Sequence, residues 1–141
     1  MVIFIFNFNK SIYKAKLNNP IIKKMDNYKA ILEYDKDEKN QLNNISIIIK
    51  HDTTNIEMAT FFFSVDETTK QLINGFQDII DKKNVSIDFN EINGESSIVY
   101  KNGLINFTVS DMANFFTSSS FNIVSNDSII AVFNEIIKLL N

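Results

Sequence analysis

Two Asn-Gly dipeptides, Asn93-Gly94 and Asn102-Gly103, lie nine residues apart in a stretch where apolar and polar residues alternate. Asn-Gly is the residue pair that most readily adopts two consecutive left-handed conformations, which a type I′ hairpin turn requires. Alternation with period two is the mark of a strand buried on one face. The segment therefore reads as a three-stranded antiparallel meander over residues 85–109, with strands Val85–Ile92, Glu95–Lys101 and Leu104–Val109. A meander of this kind constrains the architecture strongly and implies no chemistry.

Similar patterning extends on both sides. Tyr28, Ala30, Leu32 and Tyr34 fall on one face of a strand, with Lys29, Glu33 and Asp35 opposite. Asp35–Asn44 reads as a polar loop, Ile45–His51 as a second strand and Glu57–Val65 as a third. The Phe61-Phe62-Phe63 run suits a central strand, buried on both faces. A helix is expected over about 66–83. Ser64 and Glu67 have the spacing of a capping box, with Asp66 as an alternative cap. Leu72, Ile73, Phe76, Ile79 and Ile80 make its apolar stripe. Gly75 costs about 1 kcal/mol in a helix interior and suggests a close approach to the sheet. Lys82 and Lys83 suit the negative end of the helix dipole, and Asn84 is a candidate left-handed C-cap. After the meander, 111–118 is ambiguous, with one helical turn carrying Met112, Phe115 and Phe116 as one reading. Ser119–Val124 reads as a last strand. A second helix over about 126–140 follows, capped by Ser125 or Asn126, with Ile129, Ile130, Phe133, Ile136, Ile137 and Leu140 on its stripe.

The expected fold is thus a single α+β domain over 26–141: about six to seven antiparallel strands packed by two amphipathic helices. A chain of 141 residues suits one domain that buries roughly two-thirds of its unfolded surface. Thirteen Phe residues supply bulk for the core. Phe76-Gln-Asp-Ile-Ile in the first helix is echoed by Phe133-Asn-Glu-Ile-Ile in the second. Duplication accounts for the echo, and so does a shared packing requirement.

Charge divides the chain. Residues 1–25 carry five Lys and no acid, whereas 26–141 carry nine Lys against seventeen acids, a net charge of −8. The basic stretch reads either as a disordered or strand-forming arm or as leader ahead of a translation start at Met25. Its apolar run, Val2–Phe6, is too short for a signal peptide. No stretch approaches the ~20 apolar residues of a membrane span, and a cytoplasmic location is expected. All the basic residues are Lys, and Asn, Ile and Lys dominate the composition. Their codons are A/T-rich, which points to an AT-rich genome. The same bias produces chance glycosylation sequons at Asn9, Asn44, Asn84, Asn106 and Asn126.

Little in the chain suggests catalysis. There is no Cys, and therefore no thiolate nucleophile, thiolate metal site or disulfide. His51 is the only histidine, and neighbouring Asp52 points to the opposite side of a strand. Asp35, Asp37 and Glu38 are interleaved with Lys36 and Lys39 and lack the spacing of a calcium loop. Gly75, Gly94 and Gly103 are too far apart to cradle a phosphate. No catalytic residue, cofactor or metal is expected. Tyr34, Phe89, Tyr100 and Phe107 are candidates for a base-stacking platform. An acidic domain without Arg opposes nucleic-acid binding, however, and burial in the core is the competing account of these aromatics.

The element order resembles a group of small immunity-type proteins from bacterial polymorphic-toxin systems. The resemblance is carried by Phe63-Ser64-x-Asp66, the Phe76–Ile80 stripe, Tyr100-x-Asn102-Gly103 and the Phe121–Leu140 strand-helix ending. Lys83-Asn84 departs from it, since a Gly usually closes the first helix of that group. The resemblance implies a non-enzymatic acidic protein that binds and masks another protein. A basic protein partner is therefore the leading expectation, and a single-stranded nucleic-acid module is the alternative. A homodimer through the sheet edges near Tyr28 or Ser119 is also open.

Overall fold

The computed structural model describes residues 3–6, 24–91, 94–111 and 117–141. Among them are nine strands: β1 (Ile3–Phe6), β2 (Lys24–Met25), β3 (Tyr28–Lys36), β4 (Leu42–His51), β5 (Glu57–Ser64), β6 (Val85–Glu91), β7 (Gly94–Lys101), β8 (Leu104–Asp111) and β9 (Thr117–Val124). Two helices join them, α1 (Ile73–Ile80) after β5 and α2 (Asp127–Leu140) after β9. The fold is α+β, as the patterning predicts. The strands form two sheets, in the orders β1-β5-β4-β3 and β2-β9-β8-β7-β6. Neighbours are antiparallel except for the two-residue pairing of β2 with β9, which is parallel.

The inner faces of the sheets meet through aromatic side chains. Phe61 on β5 lies with its ring centroid 5.6 Å from Phe89 on β6 and 5.3 Å from Phe107 on β8. Phe63 lies 4.9 Å from Phe89. Alternation selects these residues, since Ile45, Ile47 and Ile49 on β4 and Ile98 and Ile105 on β7 and β8 are likewise fully buried. Phe62 is half-buried on the opposite face of β5. The helices complete the core by pairing with each other: Phe76 of α1 is 5.5 Å from Phe133 of α2. Each helix also packs on the first strand of the other half, α1 on β6 and α2 on β3.

The meander forms as expected, with one turn displaced. Lys101 pairs with Leu104, and Asn102 and Gly103 have φ of 51° and 85°, the type I′ pattern. At the other turn Glu91 pairs with Gly94. Gly94 therefore opens β7 instead of closing a turn with Asn93. Residues 92–93 lie outside the described residues, as do 112–116, where a helical turn was one reading. β8 and β9 extend to Asp111 and Thr117, and β4 begins at Leu42, so the preceding loop is shorter than the sequence suggests.

The first helix differs at both ends. No Ser64–Glu67 box forms; the Asp66 carboxylate accepts from the Thr68 and Thr69 amides at 2.8 and 3.1 Å, and Thr69 Oγ1 accepts from the Asp66 amide at 3.0 Å. Hydroxyls at Thr68 and Thr69 compete for the backbone. A 3-10 turn over Thr69–Leu72 consequently precedes the α-helix. At the other end Lys82, with φ of 59°, is the left-handed residue, not Asn84. Lys82 and Lys83 amides donate to the carbonyls of Ile79 and Asp78, which is a Schellman closure. Asn84 instead accepts from the Asn102 amide at 3.1 Å and ties the helix exit to the β7–β8 turn. Gly75 meets the sheet as expected: a Cβ there would lie 2.7 Å from Ile87 Cγ1. α2 begins as predicted, with Asn126 accepting from the Ile129 amide at 3.1 Å.

Candidate functional site

The residues with the most reactive side chains serve the turns. His51 ends β4, and its Nδ1 accepts from the Thr53 and Thr54 amides at 3.4 and 3.3 Å. These bonds hold the β4–β5 turn, where Asn55 is left-handed with φ of 58°. The amide of Asp52 donates to the Asn27 carbonyl at 3.1 Å. Asp37 does similar work in the β3–β4 loop, its carboxylate accepting from the Lys39 and Gln41 amides at 2.8 and 2.9 Å. Asp35 accepts weakly from the amides of the Asn43 and Asn44 side chains, at 3.4 and 3.3 Å. Among the described residues, no three His, Asp or Glu side chains gather as ligands for a metal ion.

Three of the four candidate stacking aromatics belong to the core. Phe107 is fully buried, Tyr100 is 5% and Phe89 7% exposed; only Tyr34 stands half in solvent. A sheet face that stacks bases must present its rings outward. The rings of Phe89 and Phe107 point inward, toward Phe61 and Phe63.

The outward half of the same alternation is polar. On β8, Asn106, Thr108 and Ser110 alternate with the inward-facing Ile105, Phe107 and Val109. Register places Asp88, Ser97, Thr108 and Ser120 in one row across the four strands. The next row holds Glu95, Ser110 and Ser118. Side-chain hydrogen bonds run across this face: Ser86 Oγ donates to Asp88 at 3.2 Å, Thr108 Oγ1 to Asn106 at 2.6 Å and Asn106 Nδ2 to Asn122 at 3.0 Å. At its centre is a shallow, open depression of about 250 Å³, lined by Asp88, Glu95, Ser96, Ser97, Thr108 and Ser110. Two carboxylates and a set of hydroxyls offer acceptors for ammonium or guanidinium groups.

Sequence reasoning missed this face because it followed the apolar half of each strand. The signal was present in the outward positions, which on β6–β9 are mostly Ser, Thr, Asn, Asp and Glu, with Val99, Lys101, Leu104 and Val124 as exceptions. The corresponding face of the first sheet differs, with Ile31, Ile48, Thr60 and Phe62 at its centre. No helix among the described residues is long and apolar enough to cross a membrane. Compared with protein-family models, curated proteins and solved structures, the chain has no significant match in any of the three, and any function must be inferred from its own surface chemistry.

Proposed function

We propose that this chain is a non-enzymatic protein-binding module that docks a basic partner on the outer face of the β6–β9 sheet. The observation that carries the reading is the depression between Asp88 and Glu95, whose lining contains two acids, four hydroxyl residues and no Lys. The net charge of −8 over residues 26–141 extends the same sign beyond the depression. Such a field raises association rates for cationic partners more than it deepens affinity, and it is screened by salt. Each exposed ion pair contributes about 0.2–1 kcal/mol, so several must act together. The resemblance to immunity-type proteins agrees in direction, since masking a partner requires a surface and no catalytic group. The single-stranded nucleic-acid alternative finds no support in the sheet aromatics, three of which are buried.

The test is capture of partners from nuclease-treated lysate of the source cells with the full chain and with an Asp88→Lys/Glu95→Lys variant. A stoichiometric basic protein, retained by the wild type, released by salt and lost in the variant, is the expected result. Equal capture by both chains would sink this face as the binding surface.

A further inference from the structure

We infer that the free edge of β6 is a strand-docking site, and that its occupant is an extended basic segment of a partner protein. The inference rests on the reading above and specifies how the partner is held.

Hydrogen-bond parity identifies which backbone groups β6 offers. In a two-residue hairpin the pair that flanks the turn exchanges both of its hydrogen bonds, and bonded and non-bonded pairs then alternate. Lys101 and Leu104 flank the β7–β8 turn, so Lys101, Val99, Ser97 and Glu95 bond toward β8. The intervening residues Tyr100, Ile98 and Ser96 therefore bond toward β6, to Val85, Ile87 and Phe89. By elimination, the N–H and C=O groups of Ser86 and Asp88 point away from the sheet. β6 is the last strand of its sheet, and among the described residues none pairs with that edge.

The edges at β3 and β9 are managed differently. On β3 the outward groups of Ala30 are occupied: Ser128 Oγ accepts from the Ala30 amide at 2.7 Å and donates to the Ala30 carbonyl at 3.3 Å. Asn126 Nδ2 donates to the Tyr28 carbonyl at 3.2 Å. A register shift between Asp35 and Lys36 adds a bulge. These are the devices that keep an edge from pairing with another chain. β9 carries β2 at Asn122 and Ile123. β6 shows no register shift, and it contains no Lys and no Pro.

Charge decides the occupant. A strand added beside β6 would set alternate side chains on the outer face, next to Asp88 and within reach of Glu95. The intervening side chains would continue the inner layer behind Ile87 and Phe89. The matching segment therefore alternates Lys or Arg with apolar residues. A second copy of this acidic chain would bring its own Asp88 to the same face, where like charges oppose pairing.

The experiment uses the full chain and a fluorescent peptide alternating lysine and valine, matched in length to β6. A second peptide carries N-methyl groups on alternate residues, retaining the charge and removing the donors. Two variants divide the contributions. Ser86→Pro removes an outward donor and leaves the β6–β7 ladder intact, and Asp88→Asn removes charge and leaves the backbone; a thermal melt establishes that each is folded. The expected result is saturable binding, protection of the Ser86 and Asp88 amides from hydrogen exchange, and about tenfold weaker binding for Ser86→Pro and for the N-methyl peptide. Equal binding of both peptides would overturn strand docking and leave the acidic face as the binding surface. No binding of either peptide, or a dimer with the Ser86 and Asp88 amides already protected, would overturn the proposed occupant.

Discussion

Phe76 and Phe133 face each other across the helix pair with ring centroids 5.5 Å apart and planes inclined by 32°. They hold the same place in the two Phe-x-x-Ile-Ile segments. Ile79 and Ile136, the fourth residues of each, are both fully buried, whereas Ile80 and Ile137 are both half-buried. Equivalent positions thus do equivalent packing work about the contact, which accounts for the echo whatever its origin. An aromatic pair contributes about 0.5–1.5 kcal/mol beyond its buried area. A double-mutant cycle with Phe76→Leu and Phe133→Leu, read by denaturant unfolding, should give a coupling in that range. Strictly additive losses would show that each ring is held by other neighbours and that the contact is incidental.

Lys82 occupies the left-handed position that closes α1, with φ of 59° and an exposed side chain. A side chain there costs about 1 kcal/mol relative to Gly, which meets no Cβ penalty in that region. Lys82→Gly should therefore raise unfolding stability by about 0.5–1 kcal/mol, a gain reduced by the greater freedom of Gly in the unfolded chain. Chemical denaturation at constant m-value is the measurement, and a loss of stability would count against the Schellman assignment.

The opposite sign applies seven residues earlier. Gly75→Ala would gain about 1 kcal/mol of helix propensity in an unhindered helix. Here the new methyl would sit 2.7 Å from Ile87 Cγ1 and 3.1 Å from its Cδ1. Ile87 is buried and cannot swing away without disturbing the α1–β6 contact, and overpacking of this kind costs about 1–3 kcal/mol. A net loss of about 1 kcal/mol is expected in thermal or denaturant melts. Ile87→Val trims the side chain and should recover part of that loss in the double variant.

Ser128 satisfies the Ala30 amide and carbonyl together, at the edge of β3. Ser128→Ala leaves both groups without that partner, which should cost about 1–2 kcal/mol. It also reopens an edge that the native chain closes, so concentration-dependent association should appear in sedimentation velocity where the wild type shows less. Unchanged stability would mean that water replaces the hydroxyl fully.

Periodicity made most of the fold legible. The meander, α2 with its Asn126 cap and the tight seat of Gly75 all follow from local rules that act within a few residues. The misread points are those where two local options are close in energy. Ser64 and Asp66 both qualify as caps, but the hydroxyls of Thr68 and Thr69 bind Asp66 in a turn of its own, and the α-helix begins only at Ile73, without a side-chain cap. Asn84 is the better left-handed residue in isolation, but the Schellman bonds place Lys82 there and leave Asn84 to hold the β7–β8 turn. The division into two sheets was not legible, because strand partners far apart in the chain leave no periodic trace. The candidate surface was hidden for a related reason: Asp88, Glu95 and Thr108 come together only through cross-strand register.

Tyr28 joins the two sheets, since its hydroxyl donates to the Val124 carbonyl at 2.6 Å while its ring is 3% exposed. Burial pushes the phenol well above its ordinary value, outweighing the smaller lowering from a backbone hydrogen bond at Asn126. The folded chain therefore keeps this proton at a pH where the unfolded chain releases it, near pH 10. By linkage, the contribution of Tyr28 is fully present below about pH 10 and declines as pH rises above it. Tyr28→Phe removes the hydrogen bond and should cost about 1 kcal/mol at pH 8. The variant has no proton to lose at this position, so the wild-type advantage should shrink steadily once pH exceeds about 10. Denaturant midpoints of both chains from pH 8 to pH 11 would show it, and parallel curves across that range would mean that the Tyr28 hydroxyl is not protected by the fold.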